Sequence, residues 1–477
     1  MANRDYSVAT VTHTTKPAGL LRQLGFVSAT ALVISNMVGT GIFATTGFMA
    51  GDLGSARLIL LAWFVGAVFA LCGALSYSEL GINFPSSGGE YVYLTRAFGP
   101  TWGFMTGWVS FFAGFSAPIA LAALAFSDYV GYFFPVFKQA NAQFTIGSGA
   151  FSLKFGGAQL LASALIGAFT ILNCFGVGRT AKVQNVLTGT KLVVIASFVI
   201  LGFIAGSGSW EHFSQPAVRT STVSIPVQFM ISLLWVMVGY SGWNAATYVA
   251  EELRQPLRTL PLALMAGTAL VAVLYVALNV VFIYAAPLED LKGEIAVGAL
   301  AASRLFGPQT AGVFSALMAL SLMSTVNAMV TIGPRVYYAM AKNGAFLASA
   351  ARVHPQWHTP VAAIAAQAAC TMLMTLTPFP QLVIYIGFTL NFFAVMSVAS
   401  LLIFRRRPGW QKLRVVSFAY PLIPVVFLLV GLWITIQGIQ LKPLVSLATV
   451  VTVVTGALVY HIRLRSRERA GSTVETY

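Results

Sequence analysis

Charge is what this 477-residue sequence has least of: 9% of its residues are Asp, Glu, Lys or Arg, and only 13 are acidic. A water-soluble domain carries about a quarter charged residues, so the composition excludes a free-standing soluble enzyme or binding module. Cysteine is nearly absent as well. Cys72, Cys174 and Cys370 all fall inside or at the ends of apolar runs, which implies no disulfide framework. His354 and His358 share a basic loop with no metal-ligand partners nearby, so neither a metal nor a cofactor is expected. Residues 1–21 are polar and lack the apolar core and small-residue cleavage site of a secretory leader, so removal of a signal peptide is not expected. No polar stretch reaches domain size, and the longest loop, about 134–156, is short.

What the sequence has in abundance is apolar length. It is 57% hydrophobic with a mean hydropathy of +0.81. A spanning helix needs roughly 20 mostly apolar residues. About twelve such stretches occur, beginning near Gly25, Leu58, Thr101, Ala158, Lys191, Pro226, Leu260, Thr310, Pro360, Gln381, Phe418 and Pro443, each start good to about four residues. The runs are continuous rather than alternating, which excludes a β-barrel. The predicted class is therefore an all-α integral membrane protein embedded in the lipid bilayer. The net charge of +15 would suggest nucleic acid in a soluble protein. Here, twelve spans with the N-terminus inside put 20 of the 28 basic residues on inner segments and 7 on outer ones. That bias predicts cytoplasmic N- and C-termini in a cell membrane and makes a nucleic-acid partner the weaker explanation.

Two of the spans are interrupted by glycine at comparable depth. The first reads Ser35-Asn36-Met37-Val38-Gly39-Thr40-Gly41-Ile42-Phe43, the sixth Val238-Gly239-Tyr240-Ser241-Gly242-Trp243-Asn244. Each opens a block of five spans, 22–206 and 225–405, and an odd number makes the second block enter the membrane in the opposite sense. Paired broken helices in halves of opposite topology point to an inverted-repeat carrier with discontinuous helices 1 and 6. The competing explanation is helix packing through small residues, but neither glycine pair has the four-residue spacing of that motif. Two peripheral helices (406–462) and cytoplasmic tails (1–21 and 463–477) complete the predicted domains.

A helix unwound at the midplane frees amides at one half-helix end and carbonyls at the other, and inside lipid these must face a cavity, an ion or a ligand. Free amides at a helix N-terminus suit a carboxylate; free carbonyls suit an ammonium. A zwitterionic amino acid carries both groups two bonds apart. The candidate donors are the amides of Thr40, Gly41 and Ile42, with the Thr40 hydroxyl. The candidate acceptors are the carbonyls of Met37, Val38, Val238 and Ser241, with Gly239 and Gly242 completing the second break. No acidic side chain lies in either break, where Asn36 and Asn244 are the nearest polar candidates.

Lys191 is the basic residue that lies well inside a span, within Thr188-Gly189-Thr190-Lys191-Leu192. Charge at the centre of a membrane helix costs about 2.5–3.5 kcal/mol on insertion scales. Snorkelling to the inner end, marked by Lys182 and Gln184, demands a reach of about 10–13 Å. A functional ammonium is the better reading: one that carries, or substitutes for, a coupling cation. Glu79, Glu251 and Glu252 fall near the inner face, where pairing with Arg96 or Arg335 would form an inner gate; a solvated interfacial charge is the alternative.

The residues also carry a resemblance. Gly39-Thr40-Gly41-Ile42-Phe43, Ser76-Tyr77-Ser78-Glu79-Leu80-Gly81 and Gly88-Gly89-Glu90-Tyr91-Val92-Tyr93-Leu94 resemble the amino acid–polyamine–organocation superfamily. Gly239-Tyr240-Ser241-Gly242-Trp243-Asn244 with Glu251-Glu252 and Pro256 is similar to its L-type amino acid transporter branch, as are Val326-Asn327 and Pro334-Arg335-Val336-Tyr337-Tyr338. The resemblance covers about 22–405. It implies twelve helices in a five-plus-five inverted repeat, alternating access, and transport of amino acids by exchange or with protons, without sodium. Thr40 and Gly41 match the family's carboxylate-binding turn, and Val238 to Gly242 its helix 6 break. Lys191 matches a lysine that in many members stands where sodium sits in sodium-coupled relatives, and Thr325 matches a hydroxyl reaching toward it. Members often carry a bulky aromatic where this chain has Val238, which leaves Trp235 or Tyr240 as the candidate gate. The 134–156 loop has no cysteine, so no disulfide-linked heavy subunit is expected. A polyamine or cationic amino acid carrier is the alternative within transport, a membrane-embedded substrate sensor the alternative outside it.

Overall fold

A computed structural model describes residues 20–147, 152–294, 296–377, 379–441 and 443–464. The 1–19 and 465–477 parts of the expected tails, with Lys442, lie outside the described residues. Long helices dominate, and among the described residues the only strands are Phe144–Ile146 and Leu153–Phe155, an antiparallel pair in the predicted 134–156 loop. Among the described residues, seven helices are long and apolar enough to cross a bilayer: this is a multi-pass helical membrane protein.

Composition explains most of the helix boundaries. Pro100, Pro226 and Pro256 sit in the first turns of their helices, where the missing N–H is not needed and the fixed φ favours the turn. Eleven of the twelve expected starts fall within about four residues of a helix start. The exception is the fifth. Its helix runs Val177–Ile204, beginning well before Lys191, because its first turns carry Arg179, Lys182, Gln184 and Asn185 and so escape an apolar-run criterion. Lys191 thus stands at the middle of that helix.

Both interruptions are present, with different extents. The first leaves helices Phe26–Met37 and Gly41–Leu53, separated by Val38-Gly39-Thr40. The second comes later than expected: Val238, Gly239 and Tyr240 remain in the Ile225–Tyr240 helix, and the chain turns at Ser241–Asn244 before the 3-10 helix Ala245–Glu252. The cause is local. Gly242 adopts φ +103°, the glycine-favoured region, whereas Gly239 stays helical and its missing side chain makes room for Trp63.

The Ala56–Asn83 and Pro256–Ala285 helices, each following a break, pack along one another, and Phe26–Met37 packs on the latter. A parallel bridge joins Leu24 to Leu253: the Leu24 amide donates to the Glu252 carbonyl at 2.9 Å and the Arg254 amide to Leu24 at 2.9 Å. The chain just before the first broken helix is thereby fixed to the end of the second. Outward-facing Val186, Val193, Val273 and Ile204 are exposed, the apolar surface expected against lipid.

Candidate functional site

The two breaks meet. A methyl carbon placed on Gly41 would stand 2.9 Å from the Gly239 Cα, and one on Gly242 would stand 2.7 Å from the Asn36 carbonyl carbon. Backbone therefore lies against backbone, which no larger residue at 41 or 242 permits. Gly41→Val is expected to destabilise the protein by about 1–3 kcal/mol and abolish uptake, because it overpacks this crossing. Gly39→Ala is the informative partner, since its methyl would meet only Thr325 Cγ2 at 3.8 Å. Melting curves with uptake should separate the two: a Gly41→Val protein with normal uptake would contradict the crossing.

A cavity of about 160 Å3 opens between the breaks. Its wall includes Asn36, Met37, Gly39, Thr40 and Gly41 from the first break, with Met237, Val238 and Tyr240–Ala245 from the second. Among the described residues, nothing accepts from the amides of Thr40, Gly41 and Ile42, as expected at a helix N-terminus. Opposite them, Thr325 and Met329 come from the Thr310–Lys342 helix. A further part of the wall comes from Ser110, Gly114, Phe115 and Pro118 on Pro100–Val130, a helix that widens into a π-turn over Ser110–Ser116. Such widened turns expose side chains at functional sites, and the sequence Ser-Phe-Phe-Ala-Gly-Phe-Ser gives no periodic signal of one.

Lys191 lies behind Thr325, 1% exposed. Its ammonium donates to the Val38 carbonyl at 2.6 Å and to Thr325 Oγ1 at 2.9 Å, and that hydroxyl lies 2.9 Å from the same carbonyl. The structure therefore brings Lys191, Thr325 and the first break together, and the side chain does not reach for the membrane surface. Two donors thus meet the Val38 carbonyl, one for each lone pair. The Tyr275 hydroxyl lies 2.6 Å from the Met37 carbonyl and 3.0 Å from that of Gly239. Ile42 and Gly239 are buried beside the cavity without lining it. Acceptors of wall residues that have no donor among the described residues include the Ser241 carbonyl and the side-chain oxygens of Asn36 and Asn244.

The expectation that no acid lies near these breaks is corrected by Glu90. This residue opens the short helix Glu90–Phe98, lines the cavity, and is 7% exposed. Its carboxylate accepts from Tyr77 at 2.9 Å, Asn244 at 2.8 Å and Tyr248 at 2.6 Å. Sequence reading met Glu90 only inside a motif, because 154 residues separate it from Asn244. The available signal was the positive-φ pair Gly88-Gly89: a side-chain carbon on Gly89 would stand 2.6 Å from the Tyr248 ring, so glycine there admits the tyrosine.

A family model described as amino acid permease matches residues 24–456, nearly the whole chain. The chain belongs to the amino acid permease family. This permease is 29% identical over 447 residues to the mouse large neutral amino acids transporter small subunit 2, covering 93% of this chain and 81% of the relative. The serine/threonine exchanger SteT of Bacillus subtilis is 28% identical over 416 residues, 86% of this chain and 90% of the relative. The mouse b(0,+)-type amino acid transporter 1 is 28% identical over 440 residues, 91% and 86%. These relatives are transporters, and the superfamily resemblance read from the motifs is the one the match shows. The permease is a transporter of amino acids and not an enzyme.

The two candidate gates of the permease differ in position. Trp235 is not on the cavity wall: it stacks on Phe48 with ring centroids 5.0 Å apart, joining the Gly41–Leu53 and Ile225–Tyr240 helices. Tyr240 lines the cavity, but its hydroxyl donates to the Trp63 carbonyl at 3.1 Å and its ring packs on Trp63 and Tyr275. The other rings bordering the space are Phe69, Phe115, Trp243, Tyr248 and Phe427. Val238 does line it, so Val238→Phe should narrow the cavity and raise half-saturation for large side chains about tenfold over small ones, read in a competition panel. An unchanged ranking would remove position 238 from the pocket.

The acids expected at an inner gate pair differently from one another. Glu252 meets Arg335, one of the two expected partners, at 2.7 Å. Glu79 meets neither expected arginine: Arg405 holds it at 2.6 Å, with Trp410 Nε1 donating at 2.8 Å, because the chain after Phe404 folds back over the end of the Ala56–Asn83 helix. Among the described residues no group of three metal-type ligands occurs.

Proposed function

We propose that this permease exchanges neutral L-amino acids across a cell membrane by alternating access, without sodium. The observation that carries the reading is the pair of opposed breaks on one cavity. The free amides of Thr40 and Gly41 supply the carboxylate site, and the Ser241 carbonyl with Asn244 supplies the ammonium site. An amino acid's invariant backbone meets complementary charge on both sides, whatever its side chain. In this proposal the chain has twelve spans in a five-plus-five inverted repeat, 22–206 and 225–405, with two peripheral helices and both termini cytoplasmic.

Lys191 supports sodium independence, because its ammonium already occupies the Val38 carbonyl that a coupling cation would use. Exchange is the favoured mode, in keeping with a relative named as an exchanger. A relative's name carries the words small subunit, but the cysteine-free 134–156 loop favours function without a disulfide-linked partner. Glu90 supports one second reading, transport of cationic amino acids, since it adds an acid to the cavity. Three donors already satisfy that carboxylate, which favours neutral substrates.

The test is reconstitution into liposomes with a radiolabelled amino acid panel. Internal unlabelled amino acid is expected to accelerate uptake at least about tenfold in sodium-free buffer, with little response to an imposed pH gradient. Uptake that needs sodium would overturn the proposal, and so would uptake driven by protons with empty liposomes. Preference for lysine or arginine over neutral substrates would favour the second reading.

A further inference from the structure

We propose that Glu90 is a positioning residue of the substrate site, which fixes the Asn244 amide so that its Oδ1 faces the cavity as an acceptor for the substrate's ammonium group. The inference rests on the amino acid reading above and adds a residue to it.

Four hydrogen bonds define the arrangement. Tyr77 and the Asn244 amide nitrogen donate to Glu90 Oε1 at 2.9 and 2.8 Å. Tyr248 donates to Oε2 at 2.6 Å, and Asn244 Nδ2 reaches the Tyr248 oxygen at 2.9 Å. An ionised carboxylate only accepts, so the NH2 end of Asn244 must face it. The single Tyr248 proton is spent on Glu90, so the Tyr248 oxygen must accept the second Asn244 proton. Only this assignment forms all four bonds. Both amide protons of Asn244 are then used, and its Oδ1 has no donor among the described residues although Asn244 is half-buried on the cavity wall. An amide oxygen on the cavity wall with no protein donor is open to accept, and the substrate's N–H supplies the partner.

The local sequence builds this bracket. Gly88 and Gly89, at φ +119° and +51°, turn the chain so that Glu90 begins its helix beneath the second break. The turn at Ser241–Asn244 brings Asn244 to it, and the following 3-10 helix delivers Tyr248. Replacing the carboxylate with a carboxamide removes the constraint, because Gln offers a donor as well as an acceptor and lets Asn244 turn over.

The experiment compares half-saturation for a preferred amino acid and for its N-methyl analogue, which has one N–H fewer. Glu90→Gln is expected to raise half-saturation for the amino acid about tenfold with maximal rate within about twofold, and to shrink the penalty for N-methylation. Glu90→Gln combined with Asn244→Asp returns an acceptor to position 244 and is expected to recover half-saturation to within about threefold. Glu90→Gln with wild-type half-saturation and an unchanged N-methyl penalty would overturn the proposal. A double variant no better than the single one would do the same. If Glu90→Gln does not insert, Tyr248→Phe carries the test: it removes the oxygen that holds the second Asn244 proton and should raise half-saturation about threefold, no change being fatal. Failure of the wild-type protein to transport any amino acid would instead sink the underlying reading.

Discussion

Lys191→Ala is expected to cut sodium-free amino acid exchange at least tenfold while the protein still inserts. The Lys191 ammonium joins three helices at one point: it leaves Val177–Ile204, bonds the Val38 carbonyl in the first break, and bonds Thr325 on Thr310–Lys342. Removing it leaves the freed Val38 carbonyl with Thr325 alone, in a place that water does not reach. Loss of a hydrogen bond from a charged donor costs about 1.5–3 kcal/mol, and here the cost falls on the backbone that shapes the substrate turn. Lys191→Met separates charge from packing, since it keeps most of the volume and none of the donors; it should be as inactive as Ala. Lys191→Arg should not rescue, because a planar guanidinium does not fit a point-charge site. An imposed pH gradient decides what the ammonium does in the wild-type cycle. Exchange indifferent to the gradient makes Lys191 a fixed tether; gradient-driven uptake that disappears in Lys191→Ala makes it the proton carrier. The tether is the expected result. Wild-type kinetics in Lys191→Ala would remove Lys191 from the mechanism altogether.

Much of this architecture was legible because membrane helices write themselves as continuous apolar runs. The first break, Val38–Thr40, falls inside the Ser35–Phe43 stretch read from the sequence, because Gly39 lies within it and Gly41 opens the next helix. The second was displaced because sequence shows glycines without showing which one turns. Gly239 serves packing against Trp63 and Gly41, while Gly242 takes the positive φ, and only tertiary contact separates those uses. The fifth helix was truncated at Lys191 for a related reason: the inner face of its first half carries Thr180, Gln184 and Thr188, which are buried through hydrogen bonds rather than read as apolar. Gln184, Thr188, Ser324 and Asn327 bond one another there at 2.7–3.0 Å. The role of Glu90 was beyond reach, since its partners lie on two segments distant from one another in sequence and its own helix is nine residues long. The site is thus legible where function resides in backbone, and illegible where side chains distant in sequence share one proton network.

The second large effect belongs to Arg335 and Glu252. Both are buried, with side chains at 1% and 0% exposure. Arg335 Nε and Nη2 donate to the two carboxylate oxygens at 2.7 and 3.3 Å, and Nη1 donates to the Thr331 carbonyl at 2.6 Å. Glu252 ends the 3-10 helix beyond the second break and, through its carbonyl, holds Leu24 ahead of the first. The pair therefore clamps both broken helices to Thr310–Lys342. Arg335→Leu strands a buried carboxylate and is expected to cost about 3–5 kcal/mol, visible as a lower melting temperature of the purified protein. Replacing both residues, Arg335→Met with Glu252→Leu, removes both desolvation penalties and should return stability to within about 1 kcal/mol of wild type. Transport separates a brace from a gate. If the pair only braces, the double variant exchanges normally. If it opens and closes in each cycle, an apolar contact has no hydrated state to open into, and exchange stays depressed while stability recovers. The second outcome is expected, because the pair ties both broken helices to a helix that also carries Thr325. Full recovery of exchange in the double variant would assign Arg335 and Glu252 to stability alone.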